Sequence, residues 1–250
     1  MESVKTALKV LEQVAETGQG GVSELARVLG EPKSTIQRNL LTLHEAGWIK
    51  PIDRHGRRGW ALSTKVLSLA RRLQPVAGMR GHALPIMEDL RGATRETIHL
   101  TILDGDRVVL IERLDSPQTL RTVRPLGGGG PLHATSNGKA ILANLPAARR
   151  QAYLAGTLQR FTSRTLTDPE ALDAQLKQIR RDGYALGDGE IDIEVRAVAA
   201  AITLESGEPV AALSISCPAS RFPDDKIEAY GELVSRAAAR ISRAIAKDAA

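Results

Sequence analysis

The chain has 250 residues, of which 42% are hydrophobic and 25% are charged, and its formal net charge is +5. This length and balance predict two domains with hydrophobic cores and exclude a disordered chain. With one cysteine (Cys217), acidic residues near the N-terminus and no long apolar run, we expect a cytoplasmic protein without disulfides, membrane association, cofactor or bound metal.

The N-terminal region predicts three short helices, because apolar residues recur at helical spacing between glycines. The first helix lies in SVKTALKVLEQVAETGQG, with Ser3 as its N-cap. The second lies in GVSELARVLG and opens at Ser23. The third lies in EPKSTIQRNLLTLHEAGWI, where Pro32 stands near the start and Gly47 closes the helix.

The segments WIKPID and GWALS predict two short strands that follow the helices. They are joined by a basic turn, Arg54-His55-Gly56-Arg57-Arg58. Three helices and a basic hairpin are typical of a winged helix-turn-helix. Between Lys33 and Arg58, six Lys or Arg residues stand against two acidic residues, so the positive charge of the chain is concentrated here.

This arrangement predicts binding to double-stranded DNA. The second helix of a helix-turn-helix enters the major groove, where Arg and Gln contact base edges and Ser and Thr suit phosphate contacts. Arginines in the wing would reach the DNA backbone or the minor groove. A merely solvated basic helix face is the alternative. The predicted DNA-binding residues are Ser23, Lys33, Ser34, Thr35, Gln37, Arg38, Arg54, Arg57 and Arg58.

The rest of the chain alternates helices and strands, which predicts an antiparallel or mixed sheet with helices packed on it. Residues 63–78 predict a linker helix between a DNA-binding domain at 1–62 and a second domain at 79–250. Two hairpins are predicted, one about Asp104-Gly105 and one across Ser206-Gly207. A further strand is predicted in QTLRTVRPL, and helices in HALPIMEDLRGAT, DPEALDAQLKQIRRDG and the C-terminal segment.

The stretch GGGGPLHATSNGKA has the appearance of an active site but fails two motif tests. A phosphate-binding P-loop needs a glycine where His133 stands and a Ser or Thr where Ala140 stands. A nucleophile elbow needs a glycine at Ala134. Scattered histidines without paired spacing, such as His82, His99 and His133, argue for structural or surface roles and against a metal site.

Ser136 and Asn137 stand at the N-terminus of a predicted helix, where free amides and the helix dipole favour an anion. A carboxylate ligand fits this position without any catalysis. In the alternative interpretation, Ser136 only caps its helix, and Ser214 and Ser216 only fill one face of a strand.

Five segments in order resemble the isocitrate lyase regulator (IclR) family of bacterial transcription factors over nearly the whole chain. The first, VSELARVLGEPKSTIQRNLLTLHEAGWI, resembles the helix-turn-helix of the family. The others, RETIHLTILDGDRVVLIERLDS, GPLHATSNGKAILA, RRDGYALGDGE and VAALSISCPASR, resemble successive signatures of its effector-binding domain. The resemblance implies an α+β chain: a winged helix-turn-helix joined by a linker helix to a GAF-like domain with a mainly antiparallel sheet.

The resemblance also implies partners and a site. The partners are a pseudo-palindromic operator, a small-molecule carboxylate effector, and a second copy of the chain in a homodimer or a dimer of dimers. Ser136 and Asn137 would offer amides, Ser214 and Ser216 hydroxyls, and positions 122 and 130 the pocket walls. The predicted effector-binding residues are Thr122, Gly130, Ser136, Asn137, Glu190, Asp192, Ala197, Ser214 and Ser216.

Gly130, Gly187 and Ala197 are smaller than the residues common in the family. We therefore expect a pocket suited to an aromatic or longer-chain carboxylate, whose binding shifts the population of linker-helix arrangements and so the operator affinity. Two alternatives stay open: a hydrolase or transferase whose N-terminal helices only dimerise, and a winged-helix architectural protein that senses no ligand.

Overall fold

The computed structural model describes residues 2–18, 20–54, 56–70 and 74–249. Its contacts divide the chain into two compact units, Met1–Gln74 and Pro75–Ala250. This division falls inside the predicted linker at residues 63–78. Within the described ranges, no helix is both long and apolar enough to cross a membrane.

The first unit contains the three helices and the hairpin that the sequence predicts. Its elements are α1 Glu2–Thr17, α2 Val22–Leu29, α3 Lys33–Glu45, β1 Ile49–Arg54, β2 Arg57–Leu62 and α4 Lys65–Ala70. The predicted positions of Ser3 and Ser23 as the openings of their helices are wrong. Each lies one residue inside its helix, and α2 is instead preceded by Gly21, which has an extended backbone and makes no side-chain cap bond.

A small core holds this unit together. Val10 and Val14 of α1 pack with Leu25 of α2 and with Ile36 and Leu40 of α3, and all five side chains are fully buried. The opposite side of α3 is thereby left free for polar residues, because positions three and four apart share one helix face.

The residues predicted to begin and end α3, Pro32 and Gly47, stand at the ends of this helix. Pro32 immediately precedes the first helical residue, where its fixed φ of −58° suits the entry and its missing amide costs nothing. Gly47 follows the helix with a φ of +78°, in the left-handed region that favours glycine.

The second unit is built on one sheet. Its elements are α5 Gln74–Thr94, β3 Thr97–Asp104, β4 Arg107–Leu114, β5 Gly129–Pro131, α6 Ser136–Asn144, α7 Ala147–Leu154, α8 Pro169–Asp182, β6 Ala185–Asp188, β7 Val195–Thr203, β8 Pro209–Pro218 and α9 Ile227–Ala249. In the described part of the chain the sheet has six strands in the order β5-β4-β3-β8-β7-β6, and every adjacent pair is antiparallel. The mainly antiparallel α+β fold and both predicted hairpins are confirmed.

The two faces of this sheet have different environments. On one face, Ile98, Leu100, Leu213 and Ile215 pack against buried residues of α5 and α9. On the other face, α6 and α8 cover part of the sheet through a second apolar cluster that includes Ala199 and Ala212. The remainder of this second face borders a cavity.

The predicted strand in residues 118–126 is wrong. The edge of β4 is already paired with residues 127–131, since the Leu110 amide donates to the Gly128 carbonyl and the Gly127 amide donates to the Leu110 carbonyl. Two carbonyls of the segment 118–126 accept instead from arginine side chains. Arg221 donates to Leu120 O (2.8 Å) and Arg113 donates to Arg124 O.

The predicted end of the linker helix at Gly78 is also wrong, because α5 continues through Gly78 to Thr94. The predicted linker therefore contains α4 and the start of α5, while residues 71–73 between them lie outside the described part of the chain.

Candidate functional site

The predicted DNA-binding residues of α3 lie together on one face. Lys33, Ser34, Gln37 and Arg38 are exposed, whereas Thr35 is half-buried at the margin of the face. Asn39, which is buried, donates from Nδ2 to the Thr35 carbonyl at 3.0 Å. The face therefore combines two cations with the amide and hydroxyl donors that DNA contacts use.

The remaining predicted DNA-binding residues belong to α2 and the hairpin. Ser23 is exposed in the first turn of α2, and Arg58 is exposed on β2 opposite Asp53. The side chains of Arg54 and Arg57, together with the whole of His55, lie outside the described residues.

The second unit contains a cavity of about 430 Å³ between the sheet and the N-terminus of α6. Strands β3, β7 and β8 form its floor, and residues 124–131 and 187–195 form its sides. The predicted effector residues that line it are Gly130, Ser136, Asn137, Glu190, Asp192, Ala197, Ser214 and Ser216.

Thr122 departs from the prediction, because it does not line the cavity. It is buried, and its hydroxyl lies 3.3 Å from Ser216 Oγ and 3.4 Å from the Ser216 carbonyl. Thr122 thus contacts Ser216, which lines the cavity, without lining the cavity itself. The cause is the irregular path of residues 118–126, which a strand would have placed differently.

Thr135, not Ser136, caps α6. The Thr135 hydroxyl accepts from the Gly138 amide at 3.0 Å and donates to the Pro131 carbonyl at 3.0 Å. The alternative in which Ser136 serves as the cap is therefore wrong. Ser136 is the first helical residue, and the amides of the first turn have no acceptor within the helix. Asn137 follows, and its buried Oδ1 has no hydrogen-bond partner among the described residues.

The strand register brings polar side chains onto the cavity face. Ser214 pairs with His99 on one side and Ala199 on the other, while Ser216 pairs with Ala197. Side chains alternate across a strand, so Ser214 and Ser216 share one face with His99. All three line the cavity.

His99 is the functional candidate that the sequence interpretation missed. The sequence predicts a structural or surface role for it, but the side chain is buried at the cavity and its Nε2 has no partner in the described part of the chain. Burial is the main reason why the pKa of His99 is lowered to about 4, and the positive charges of the nearby Arg113 and Arg124 contribute to the same shift. The imidazole is therefore neutral at pH 7. Its place opposite Ser214 depends on the β3–β8 register, for which the sequence has no local signal.

Close contacts, as well as cavity size, explain two of the small residues in the wall. A Cβ at Gly130 would lie 2.6 Å from Thr135 Cγ2, and the cap bonds hold that side chain in place. A Cβ at Gly187 would lie 3.2 Å from Ser136 Cβ. Glycine at these positions thus leaves Thr135 and Ser136 in place at the helix N-terminus.

His133 does not contribute to the cavity. Its Nδ1 lies 2.9 Å from the Tyr153 hydroxyl and its Nε2 lies 2.9 Å from the Gln159 carbonyl, so both ring nitrogens are occupied. This agrees with a structural role and gives Ser136 no general base from His133. Within the described residues, no group of His, Cys, Asp and Glu side chains is arranged to hold a metal ion.

Glu190 reaches the cavity wall as one half of a buried ion pair. Lys139 Nζ lies 2.6 Å and 2.9 Å from the two carboxylate oxygens, and the lysine side chain is completely buried. Asp192, also at the cavity, is exposed and accepts a hydrogen bond from the Glu194 amide at 3.2 Å. The negative charge of Glu190 is therefore balanced by a buried lysine, whereas the negative charge of Asp192 faces solvent.

Comparison with known proteins relates both units to one family. Residues 3–52 match the IclR helix-turn-helix domain, and residues 75–243 match the bacterial transcriptional regulator IclR C-terminal model. The Escherichia coli transcriptional repressor IclR is 32% identical over 248 residues, covering 98% of this chain and 90% of the relative. The E. coli regulator KdgR is 34% identical over 96% of this chain and 92% of its own length.

Solved structures align with nearly the full length of the chain. The Thermotoga maritima IclR structure has a TM-score of 0.81 at 30% identity, covering 98% of this chain and 99% of its own. An IclR homologue from Microbacterium hydrocarbonoxydans, complexed with 4-hydroxybenzoate, has a TM-score of 0.81 at 27% identity, with 97% and 98% coverage. The named relatives are transcriptional regulators and repressors, not enzymes. The chain belongs to the IclR family of bacterial transcriptional regulators.

Proposed function

We propose that this regulator binds a pseudo-palindromic operator as a homodimer and that a small organic carboxylate in the cavity of the second unit changes its operator affinity. The observation that carries the proposal is the convergence of the α6 N-terminus, the Ser214 and Ser216 hydroxyls and the neutral His99 on one cavity. The α3 face supplies the DNA contacts.

For the DNA contacts, we assign base recognition to Gln37 and Arg38 and phosphate contacts to Lys33, Ser34 and Thr35. Gln offers a donor and an acceptor that match the adenine edge in the major groove, and Arg offers two donors that match the guanine edge. Both are exposed on α3, opposite its buried residues. Ser23 and Arg58, exposed on neighbouring elements, would extend the phosphate contacts.

For the effector, the chemistry of the cavity favours an anion with an apolar body. First-turn amides and hydroxyl groups are suited to a carboxylate, while Val108, Leu110 and Pro125 supply apolar wall. A cavity of about 150 Å³ already holds benzene, so this one has room for an aromatic or longer-chain acid. The 4-hydroxybenzoate complex of the M. hydrocarbonoxydans homologue supports an aromatic acid as a candidate.

Coupling to DNA would run through the sheet and α5. The cavity borders one face of β3 and β8, and Met79, Ala83 and Met87 of α5 pack in the apolar cluster on the other face. Because α5 begins at Gln74, where the first unit ends, a ligand that favours one packing of this helix would change the populations of DNA-binding arrangements.

The DNA part is tested by a gel shift with the region upstream of the gene. Arg38→Ala is expected to weaken operator binding by roughly 1–3 kcal/mol while affecting random DNA less. Arg236→Ala, which removes an exposed arginine from α9, is the matched control. Equal losses on operator and random DNA would assign Arg38 to phosphate, and no loss would remove it from the interface.

The effector part is tested by calorimetry with benzoate, 4-hydroxybenzoate, glyoxylate and pyruvate, followed by gel shifts with any acid that binds. Aromatic acids are expected to bind more tightly than glyoxylate or pyruvate and to change operator affinity. The double variant Ser214→Ala with Ser216→Ala is expected to bind the aromatic acids more weakly. Tight binding of only glyoxylate or pyruvate would contradict the size class. Binding without any change in operator affinity, or no ligand-induced thermal stabilisation at all, would favour an architectural protein.

A further inference from the structure

We infer that Lys139 is a positioning residue for the effector cavity, which neutralises the Glu190 carboxylate in the cavity wall and thereby allows the cavity to accept an anion. The inference rests on the proposed carboxylate effector and adds a residue that does not itself line the cavity. Its basis is the buried Lys139–Glu190 pair and the elements that this pair joins.

The pair connects two walls of the cavity. Lys139 lies one turn after Thr135 on α6, and its amide donates to the Thr135 carbonyl at 2.8 Å. Ser136 and Asn137 of the same turn line the cavity from one side. Glu190 belongs to the segment that lines it from another side, so the ion pair links this segment to the helix that carries the predicted anion site.

The segment around Glu190 is also held by its backbone. Thr165 Oγ1 donates to the Glu190 carbonyl at 2.6 Å, and Thr162 Oγ1 donates to the Gly189 carbonyl at 2.7 Å. These bonds do not involve the Glu190 carboxylate. Removing the charge of Lys139 should therefore leave the segment in place and change mainly the electrostatics of the cavity.

The charge balance explains how an acidic wall tolerates an acidic ligand. Asp188 is paired with Arg196 at 2.9 Å and with Arg164 at 3.1 Å, and Glu190 is paired with Lys139. Burial lowers the pKa of Lys139, and the Glu190 and Asp188 carboxylates oppose that shift by favouring the charged ammonium. Asp192 and Arg124, which both line the cavity, are exposed, so solvent screens their opposite charges.

Without Lys139, Glu190 would present a buried, unpaired carboxylate to the ligand. A group in such surroundings either repels an anion or takes up a proton, and it binds that proton at a higher pH than an exposed carboxylate does. Loss of Lys139 should therefore make binding of an anion, but not of a neutral molecule of the same shape, dependent on pH. A purely structural role would affect both molecules alike.

The experiment compares benzoate with benzamide by calorimetry at pH 8 and pH 6. In Lys139→Met, benzoate affinity is expected to fall on the order of tenfold at pH 8, to recover at pH 6, and to leave benzamide binding unchanged. The double variant Lys139→Met with Glu190→Gln should bind benzoate equally at both pH values. Lys177→Met, which removes an exposed lysine from a surface ion pair with Asp173, is the matched control.

Equal loss of benzoate and benzamide, or wild-type binding by Lys139→Met at both pH values, would overturn the inference while leaving the proposed effector class intact. Failure of the wild-type protein to bind any carboxylate would overturn the effector class and this inference together. If Lys139→Met does not fold, Glu190→Gln tests the same balance in the opposite sense. Its unpaired Lys139 should make benzoate, and not benzamide, bind more tightly at pH 6 than at pH 8, and identical affinities would refute the charge balance.

Discussion

Replacing His99 should remove a specific part of the acid sensitivity of this protein. Burial holds the pKa of His99 at about 4 in the folded chain, whereas an unfolded chain binds the same proton near pH 6.5. Between these values the unfolded chain carries more protons, so lowering the pH favours unfolding. The contribution of His99 to stability is therefore complete above about pH 6.5 and is lost as the pH falls towards 4.

The difference of about 2.5 pKa units corresponds to about 3 kcal/mol of unfolding free energy. His99→Asn removes the titrating group. On acidification, the unfolding free energy of this variant should therefore fall by about 3 kcal/mol less than that of the wild-type protein. Urea unfolding of both proteins between pH 7 and pH 4 measures the difference, because other titrating groups are common to both. An NMR titration of the five histidines reports the His99 proton directly.

Two results would refute this reasoning. One is an NMR signal of His99 that titrates near pH 6.5, which would mean that water or a counterion solvates the ring at the cavity. The other is a parallel pH dependence of stability in the wild-type protein and His99→Asn.

Two further predictions concern the N-terminus of α6. Thr135→Ala should cost about 1 kcal/mol of stability by removing the cap on the Gly138 amide, while Thr135→Ser should retain most of it; urea unfolding distinguishes them, and equal stabilities would exclude the cap. Gly138→Ala should destabilise by roughly 1–3 kcal/mol or more, because its Cβ would lie 2.5 Å from Leu132 Cα. Gly92→Ala, where a Cβ has open space within α5, serves as the control, and similar melting temperatures for both alanine variants would contradict this contact.

Local patterns in the sequence predicted much of the fold. Helical spacing in α1 to α3, the Pro32 and Gly47 boundaries, and the turns at Asp104-Gly105 and Ser206-Gly207 depend on neighbouring residues, and the structure has them. Residues 118–126 depend on distant partners. Whether they form a strand is decided by which segment occupies the edge of β4, and the chain places residues 127–131 there.

The same distinction applies to the cavity. Ser136 was identifiable from its place at a helix N-terminus, and Ser214 and Ser216 from their two-residue spacing on one strand. The position of His99 requires the β3–β8 register, and the pairing of Lys139 with Glu190 joins residues 51 positions apart. Such contacts leave no periodic pattern in the sequence, so only the structure identifies them.

Along β3 and β8 the residues that stabilise the fold and those that border the cavity alternate one by one. Ile98, Leu100, Leu213 and Ile215 contribute to the apolar cluster with α5 and α9, while their neighbours His99, Thr101, Ser214 and Ser216 line the cavity. A change of ligand preference therefore needs substitutions only at these four alternate positions, and none of the four belongs to a hydrophobic core cluster. Two neighbouring strands can thus evolve a new chemical specificity while the hydrophobic core remains under separate selection.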